Sequence, residues 1–382
     1  MRGSIKNRGG NSWRITYDIG TPVNGKRPRH SETFHGSEKD AQIRLRKLLT
    51  DYEKGIQPSG GRITVAEHLR NWLDGYVKTN CSVRTLDFYS SIVERHLIPA
   101  LGQIQLKSLQ PAAIQKYYGQ ACEKLSRRSV HHFHRVLSQS LKFAVRQGYL
   151  GRNPCDMVDA PSPKGKTMRT LTPAEVELLL EMAKDNYYYP VIYTALNSGM
   201  RQAELLGLRW RDVDLNMLSI SVAQVLYKRR GICEFKEPKT SHSRRRVAMT
   251  PKLGLYMREH LKAQQDLFNT MGRPHTEDAL VFSTEGKPID PTVLSHSFTR
   301  LARRSGLEGV RFHDLRHTFA SLMLLLGAKP KVISEALGHA SVAFTMDCYS
   351  HIISGMQEEA MALLDGVMPA GTAANNPALK WR

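Results

Sequence analysis

Six residues, Gln57 to Arg62 (QPSGGR), separate two hydrophobic periods that one structural unit cannot share. Ahead of them, NSWRITYDIG alternates, with Trp13, Ile15, Tyr17 and Ile19 on one face and Arg14, Thr16 and Asp18 on the other, the pattern of a half-buried strand. Behind them, Val65, Leu69, Trp72, Leu73 and Tyr76 recur at helical spacing after the capping-box pair Thr64 and Glu67. The six residues themselves have linker composition. At least two units with separate cores are expected.

The first, residues 1–56, reads as a small sheet plus one helix. Asn24-Gly25 is a strong hairpin signal. After the extended run Lys26 to His35, Ser37 and Asp40 open a helix with Ala41, Leu45, Leu48, Leu49 and Tyr52 on one stripe and Gly55 as its stop. Arg14, Lys26 and Arg27 stand among the basic residues of this sheet. Two readings stay open for them, a β-face suited to a DNA groove and a solvated charged surface.

The second unit, residues 62–153, reads as helical, with stretches at Val83 to Leu97, Pro111 to Lys124 and Ser126 to Gln147. The last begins SRRSVHHFHR, where Arg127 and Arg128 precede three histidines without matching cysteine or carboxylate partners. A basic helix face touching phosphates or water fits better than a metal site. Gly151 to Arg169 has prolines and no period, and residues 154–170 read as an exposed linker. Thr172, Pro173 and Glu175 then open a third, mostly helical unit, residues 171–366, with extended runs between Leu218 and Thr250. Residues 367–382 read as a tail without a fold of its own.

Lys and Arg number 55 against 35 Asp and Glu, a formal net charge of +20. Such an excess suits a polyanion, whose counterions it displaces. The five cysteines are scattered without a CxxC pair, which argues against a disulfide framework or a zinc cluster and for a reducing cytoplasm. No apolar run approaches the roughly 18 residues of a membrane span, and neither a P-loop nor a cluster of closely spaced carboxylates is present.

Several clusters have residue types suited to phosphate chemistry. His313 and Arg316 lie three apart in HDLRHTFAS, one face of a helix, although alone they suit a cap or a salt bridge as well. Arg201 follows Ser198-Gly199, a small-residue break where backbone can approach a ligand, and Glu204 one turn on has the spacing to pair with an arginine. Lys239 lies between Pro238 and Thr240 in a polar turn, and His339 follows Leu337-Gly338. In TMDCYSHI, three adjacent nucleophile types, Cys348, Tyr349 and Ser350, precede His351, and nothing within those eight residues chooses among them.

Taken in order, these residues resemble the tyrosine recombinases, or phage integrase family, whose pattern is Arg, Lys, His-x-x-Arg, His (or Trp), Tyr. The likeness is close over Leu171 to His351, with Ser198 where Thr is commoner and Ala248 where Pro is frequent. It is looser over HLIPALGQIQLKSLQPAAIQKYY and AVRQGYLGRNP, which resemble the helical, SAM-like core-binding domain. The first unit is similar to arm-site DNA-binding domains of integrases. The resemblance implies a multidomain, mainly α protein: a small α+β amino-terminal domain, a helical core-binding domain, and a mixed, mostly-α catalytic domain with a small β-sheet. It further implies that Arg201 and Arg316 clamp the scissile phosphate, Lys239 protonates the leaving 5′-oxygen, His313 assists proton transfer, His339 donates to the phosphate, and Tyr349 attacks to give a 3′-phosphotyrosine. Implied partners are double-stranded DNA attachment sites, a homo-tetramer clamped on DNA, and an excisionase or host DNA-bending protein; no cofactor or metal is implied.

The chemistry supports that division. A tyrosine hydroxyl has a pKa near 10, so its phenolate costs about 4 kcal/mol at neutral pH unless nearby positive charge lowers it. Convergent arginines, lysine and histidines do so, and they stabilise the transferring phosphoryl group, a task metals perform elsewhere. A chromosome-dimer resolvase of the same family and a non-catalytic DNA-binding regulator are the rival expectations. Met1 to Gly55 argues against the first and the chemically intact boxes against the second.

Overall fold

The structure, a computed structural model, describes residues 3–18, 29–53, 63–163, 168–229, 231–238, 244–339, 341–343, 345–346 and 361. It divides into two compact units, Met1–Lys166 and Thr167–Arg382.

In the first unit, β1 (Gly3–Gly9), β2 (Ser12–Asp18) and β3 (Arg29–His35) form an antiparallel sheet in that order. Ile15 pairs with Ile5 on one side and Glu32 on the other. The alternation in β2 is realised as read: Ile15 and Tyr17 are buried and Arg14 is exposed. Helix α1 (Glu38–Glu53) packs over β1 and β2 with Ala41 fully buried. It is capped reciprocally, the Asp40 N–H donating to Ser37 Oγ at 3.2 Å and the Ser37 N–H to Asp40 Oδ2 at 3.4 Å. The Asn24-Gly25 turn, Lys26, Arg27 and the Gly55 stop lie outside the described residues.

The helical part begins with α2 (Val65–Trp72), held by the Thr64–Glu67 capping box. It continues through a π-type turn at Leu73–Val77. α3 (Val83–Ile92) continues through a second one, Val93–Leu97, to Leu101, beyond the expected end at Leu97. α4 (Pro111–Lys124) and α5 (Arg127–Arg146) follow. Leu69, Trp72, Val93, Ile114, Leu137 and Leu141 share one core. Fully burying a side chain of this size contributes roughly 1.5–3 kcal/mol, so the core outweighs any single cap.

Two expectations need correction here. Two of the three histidines of α5, His132 and His134, are packing groups rather than members of the basic face. His132 and Phe88 pack in a T-shape, with centroids 5.6 Å apart, and His134 Nδ1 lies 3.2 Å from the Tyr118 hydroxyl. Desolvation, then Arg135 beside His132 and His131 beside His134, lowers the pKa of both rings. The exposed basic residues of this helix are instead Arg127, Arg128, Arg135, Lys142 and Arg146. Second, the expected connector is buried at Asn153, Pro154 and Cys155. Asn153 satisfies the Cys155 N–H at 3.0 Å and donates to Ser138 Oγ at 3.1 Å. A short 3₁₀ turn, Pro154–Met157, thereby packs on α5. Lack of periodicity signalled irregular backbone, and irregular backbone can be buried once its polar groups are paired.

In the second unit, the Thr172–Glu175 capping box opens α6 (Pro173–Ala183). α7 (Tyr189–Ser198) and α8 (Gln202–Leu206) follow. Strands β4 (Val213–Asp214), β5 (Ser219–Ser221) and β8 (Arg246–Ala248) form one antiparallel sheet. β6 (Val225–Arg229) and β7 (Ile232–Lys236) form a separate hairpin. After α9 (Pro251–Thr270) and the short hairpin β9 (Ser283–Thr284) and β10 (Lys287–Pro288) come α10 (Pro291–Arg304), α11 (Asp314–Leu325) and α12 (Pro330–Leu337). Leu179, Ile192, Leu205, Val247, Leu294 and Phe298 belong to the main core. A satellite of Ala320, Leu324, Ile333 and Leu337 holds α12 against α11. No helix among the described residues is long and apolar enough to cross a membrane.

Candidate active site

Helix α12 ends in a Schellman turn. Gly338 takes φ +64°, its N–H donates to Glu335 O at 3.0 Å, and the His339 N–H donates to Ser334 O at 3.0 Å. A left-handed residue is needed there, and glycine adopts it without steric cost. The turn leaves the last carbonyls of the helix, at the negative end of its dipole, to find other donors.

Three arginines supply them. Arg245 Nε donates to Ala336 O at 2.6 Å, Arg316 Nη2 to Leu337 O at 2.6 Å, and Arg201 Nη2 to Gly338 O at 3.2 Å. Three consecutive carbonyls thus bring together side chains from β8's approach, α11 and the start of α8. His339 follows immediately, half-buried, with Nδ1 2.7 Å from Oγ1 of buried Thr345.

Arg316 also donates through Nη1 to Gly199 O at 2.8 Å, so it bridges the ends of α7 and α12 and is only 4% exposed. Gly199 itself has φ +62°, and a Cβ there would lie 2.4 Å from Phe319 Cδ1. The close approach expected at Ser198-Gly199 is therefore occupied by the protein's own Phe319 and Arg316. His313 is the N-cap of α11 rather than an interior residue.

Glu204 is buried between two arginines. Its Oε1 accepts from Arg201 Nη1 at 2.8 Å and Arg245 Nη1 at 3.0 Å; its Oε2 accepts from the Arg201 N–H at 2.8 Å and Arg245 Nη2 at 2.8 Å. Burial alone pushes this carboxyl upward, but Arg245 and then Arg201 outweigh it and hold its pKa below the ordinary value. Two guanidiniums share one carboxylate, so positive charge remains for an anion.

The histidines are held neutral. Desolvation first, then Arg316, lowers His313; desolvation, Arg316 and Arg201 bring His339 down to about 4. His317, one turn along α11 with its ring 5.2 Å from that of His313, is also brought to about 4, by desolvation and then His313. Below about pH 6.5 the unfolded chain takes up protons that these folded rings refuse until about pH 4, and Glu204 adds to the same trend. Stability should therefore fall as pH drops from 6.5 toward 4. Thermal melting across that range should show it, with a shallower slope for His317→Gln/His339→Gln. An unchanged midpoint between pH 6.5 and 5 would contradict these assignments.

Arg201, His313, Arg316 and His339 are thus described in one unit, three of them at one helix end or immediately beyond it. Lys239 and Tyr349 lie outside the described residues, as do Cys348, Ser350 and His351. Lys239 follows β7 and the buried Pro238 in sequence. An open groove of about 670 Å³ beside this hairpin is lined by Arg209, Arg211, Lys236, Arg244 and Arg246, together with Arg245 and Glu237. In the first unit, Arg14 donates to Ser31 Oγ at 3.3 Å.

Sequence reasoning missed Arg245, His317 and Thr345. A signal for Arg245 existed: Arg245, Val247 and Met249 alternate with exposed Arg246 and Ala248, so the second of three adjacent arginines points inward. His317, four after His313 on a helix, was legible by the same kind of spacing.

Known proteins resemble this chain in sequence and in fold. The family model of the phage integrase family matches residues 169–354, and that of the phage integrase N-terminal SAM-like domain matches residues 64–120. The tyrosine recombinase XerC-like protein of Caldanaerobacter subterraneus subsp. tengcongensis is 26% identical over 382 residues, covering 94% of this chain and 97% of that protein. The ICEBs1 integrase of Bacillus subtilis is 32% identical over 246 residues, 64% of this chain and 67% of the other. Among solved structures, the Tn1549 transposon integrase in complex with a circular intermediate DNA superposes with a TM-score of 0.67 at 20% identity, covering 78% of this chain and 99% of that one. A lambda integrase dimer bound to a COC' core site gives 0.57 at 17% identity, covering 91% and 93%. The chain belongs to the phage integrase family of tyrosine recombinases, the enzymes that cleave and rejoin DNA in site-specific recombination.

Proposed function

We propose that this recombinase integrates and excises a phage or integrative element in the cytoplasm, working as a homo-tetramer on two attachment-site duplexes. The observation that carries the reading is the pair of arginines, Arg201 and Arg316, bonded to consecutive carbonyls beside His339. Two fixed guanidiniums suit the non-bridging oxygens of one phosphate, where charge grows in the transition state. Tyr349 is the nucleophile, and Lys239 is the acid for the departing 5′-oxygen. Neutral His313 is free to take a proton from the tyrosine. When the Thr345 hydroxyl donates to Nδ1 of neutral His339, the ring's proton sits on Nε2 and can be donated to the phosphate. The phosphotyrosine keeps the bond energy, so a 5′-hydroxyl restores the DNA backbone without ATP.

Residues 1–56 form the arm-type DNA-binding domain in this reading, 62–153 the core-binding domain and 171–366 the catalytic domain. Exposed Arg14, in register with Lys6 and Thr33, lies on the sheet face turned away from Ile15 and Tyr17; Lys26 and Arg27 belong to the same DNA-binding set. Arg127 and Arg128 occupy the first turn of α5, where the helix dipole disfavours cations. Their placement costs helix stability and suits a phosphate partner. The extra sheet-and-helix unit favours integration over chromosome-dimer resolution. Exchange between two labelled attachment-site duplexes, without ATP and with a metal chelator present, tests the function. No recombinant product under those conditions would count against it. Removing Met1 to Gly55 should leave cleavage at a core site within about threefold while lowering integration by roughly tenfold or more, a loss expected when one of two linked DNA contacts is deleted. Undiminished integration by the truncated protein would exclude the arm role.

A further inference from the structure

We infer that Arg245 is a positioning residue for the reaction, orienting Arg201 through Glu204 and fixing the end of α12 through Ala336; the inference rests on the phosphotyrosine reading above. The Arg245 side chain is 7% exposed, yet it commits donors in two directions. Its Nη1 and Nη2 take both oxygens of Glu204 at 3.0 and 2.8 Å, and its Nε takes Ala336 O at 2.6 Å.

The same two carboxylate oxygens receive the Arg201 side chain and backbone. Whatever fixes the plane of that carboxylate therefore fixes the direction of the Arg201 guanidinium. Glu204 lies in the short helix α8, only three residues from Arg201, and the single Arg201 backbone N–H on Oε2 holds one oxygen of the carboxylate but leaves its plane freedom to turn. A bidentate guanidinium removes that freedom. The bond to Ala336 ties the same fork to the helix end that carries the Arg201 and Arg316 acceptors and His339. Arg245 so couples two segments that must present their groups to one phosphate within a fraction of an ångström. Lysine cannot substitute, because a single ammonium does not reproduce a planar fork aimed at three acceptors.

The test is the initial rate at which the full-length protein becomes covalently attached to a nicked target duplex. Arg245→Met should lower that rate by about 100-fold while changing the Kd for the duplex by no more than about threefold, the pattern of lost transition-state orientation rather than lost binding. Because Arg245 acts largely through Arg201, Arg201→Ala and Arg201→Ala/Arg245→Met should capture DNA at rates within about tenfold of each other, far short of multiplied losses. Should Arg245→Met fail to fold with Glu204 half-paired, Glu204→Gln/Arg245→Met removes the buried charge. It should still lie at least roughly tenfold below the parent, since neither group then orients Arg201. Parent-like capture by Arg245→Met or by Glu204→Gln/Arg245→Met, or losses that multiply in the double variant with Arg201, would overturn the inference. Absence of any covalent complex with the parent protein would instead overturn the reading beneath it.

Discussion

Tyr349→Phe is expected to abolish covalent attachment to a nicked target duplex, a loss of roughly 10⁴-fold or more, as when the nucleophile of a covalent catalyst is removed. Cys348→Ala and Ser350→Ala should retain it. The neighbouring groups fail as substitutes for a chemical reason. A site built from several positive groups around a phosphate gains most from a nucleophile whose phenolate it can stabilise and whose leaving ability permits reversal. Gel separation of DNA-linked protein reads the difference directly, and DNA-linked Phe variant would exclude Tyr349 as the attacking residue.

Arg316→Ala should be nearly as damaging, and on two scales at once. Loss of a charge-stabilising donor at the phosphate is expected to lower capture by about 10²–10³-fold. Stability should also fall, by about 3 kcal/mol, because the carbonyls of Gly199 and Leu337 both lose a charged donor in a buried place. Arg316→Lys restores charge without the two-directional fork, and it should recover stability more than rate. Urea unfolding beside the capture assay separates the two. An alanine variant that unfolds at the parent's urea midpoint would show that Arg316 does not join α7 to α12.

Much of this fold is legible in the sequence. The alternation around Ile15 and Tyr17, the capping boxes at Thr64 and Thr172 and the helices at Pro111 and Ser126 are local signals, and the structure realises each. The family followed from the order of Arg201, Lys239, His313, Arg316, His339 and Tyr349. What was not legible was tertiary. The partner of Glu204 was expected to be an arginine, but the sequence distance from Glu204 to Arg245 carries no sign that β8's approach returns to α8. Phe319 filling the space beside Gly199 depends on how α7 and α11 pack, which no local pattern encodes. The histidines of α5 read as part of a basic helix face because they adjoin arginines; Phe88 and Tyr118, distant in sequence, make His132 and His134 packing groups. The connector at Asn153 misled for the same reason, since burial of an aperiodic turn is decided by its partners.

On the proposed mechanism one tyrosine, unaided by metal, joins this protein to DNA. The most direct measurement is to trap the full-length protein on a nicked attachment-site duplex in the presence of a metal chelator, digest protein and DNA, and locate the nucleotide-bearing residue by mass spectrometry. The expected product carries a 3′-linked phosphate on Tyr349; an adduct on Cys348 or Ser350, or one that disappears when divalent metals are chelated, would contradict it.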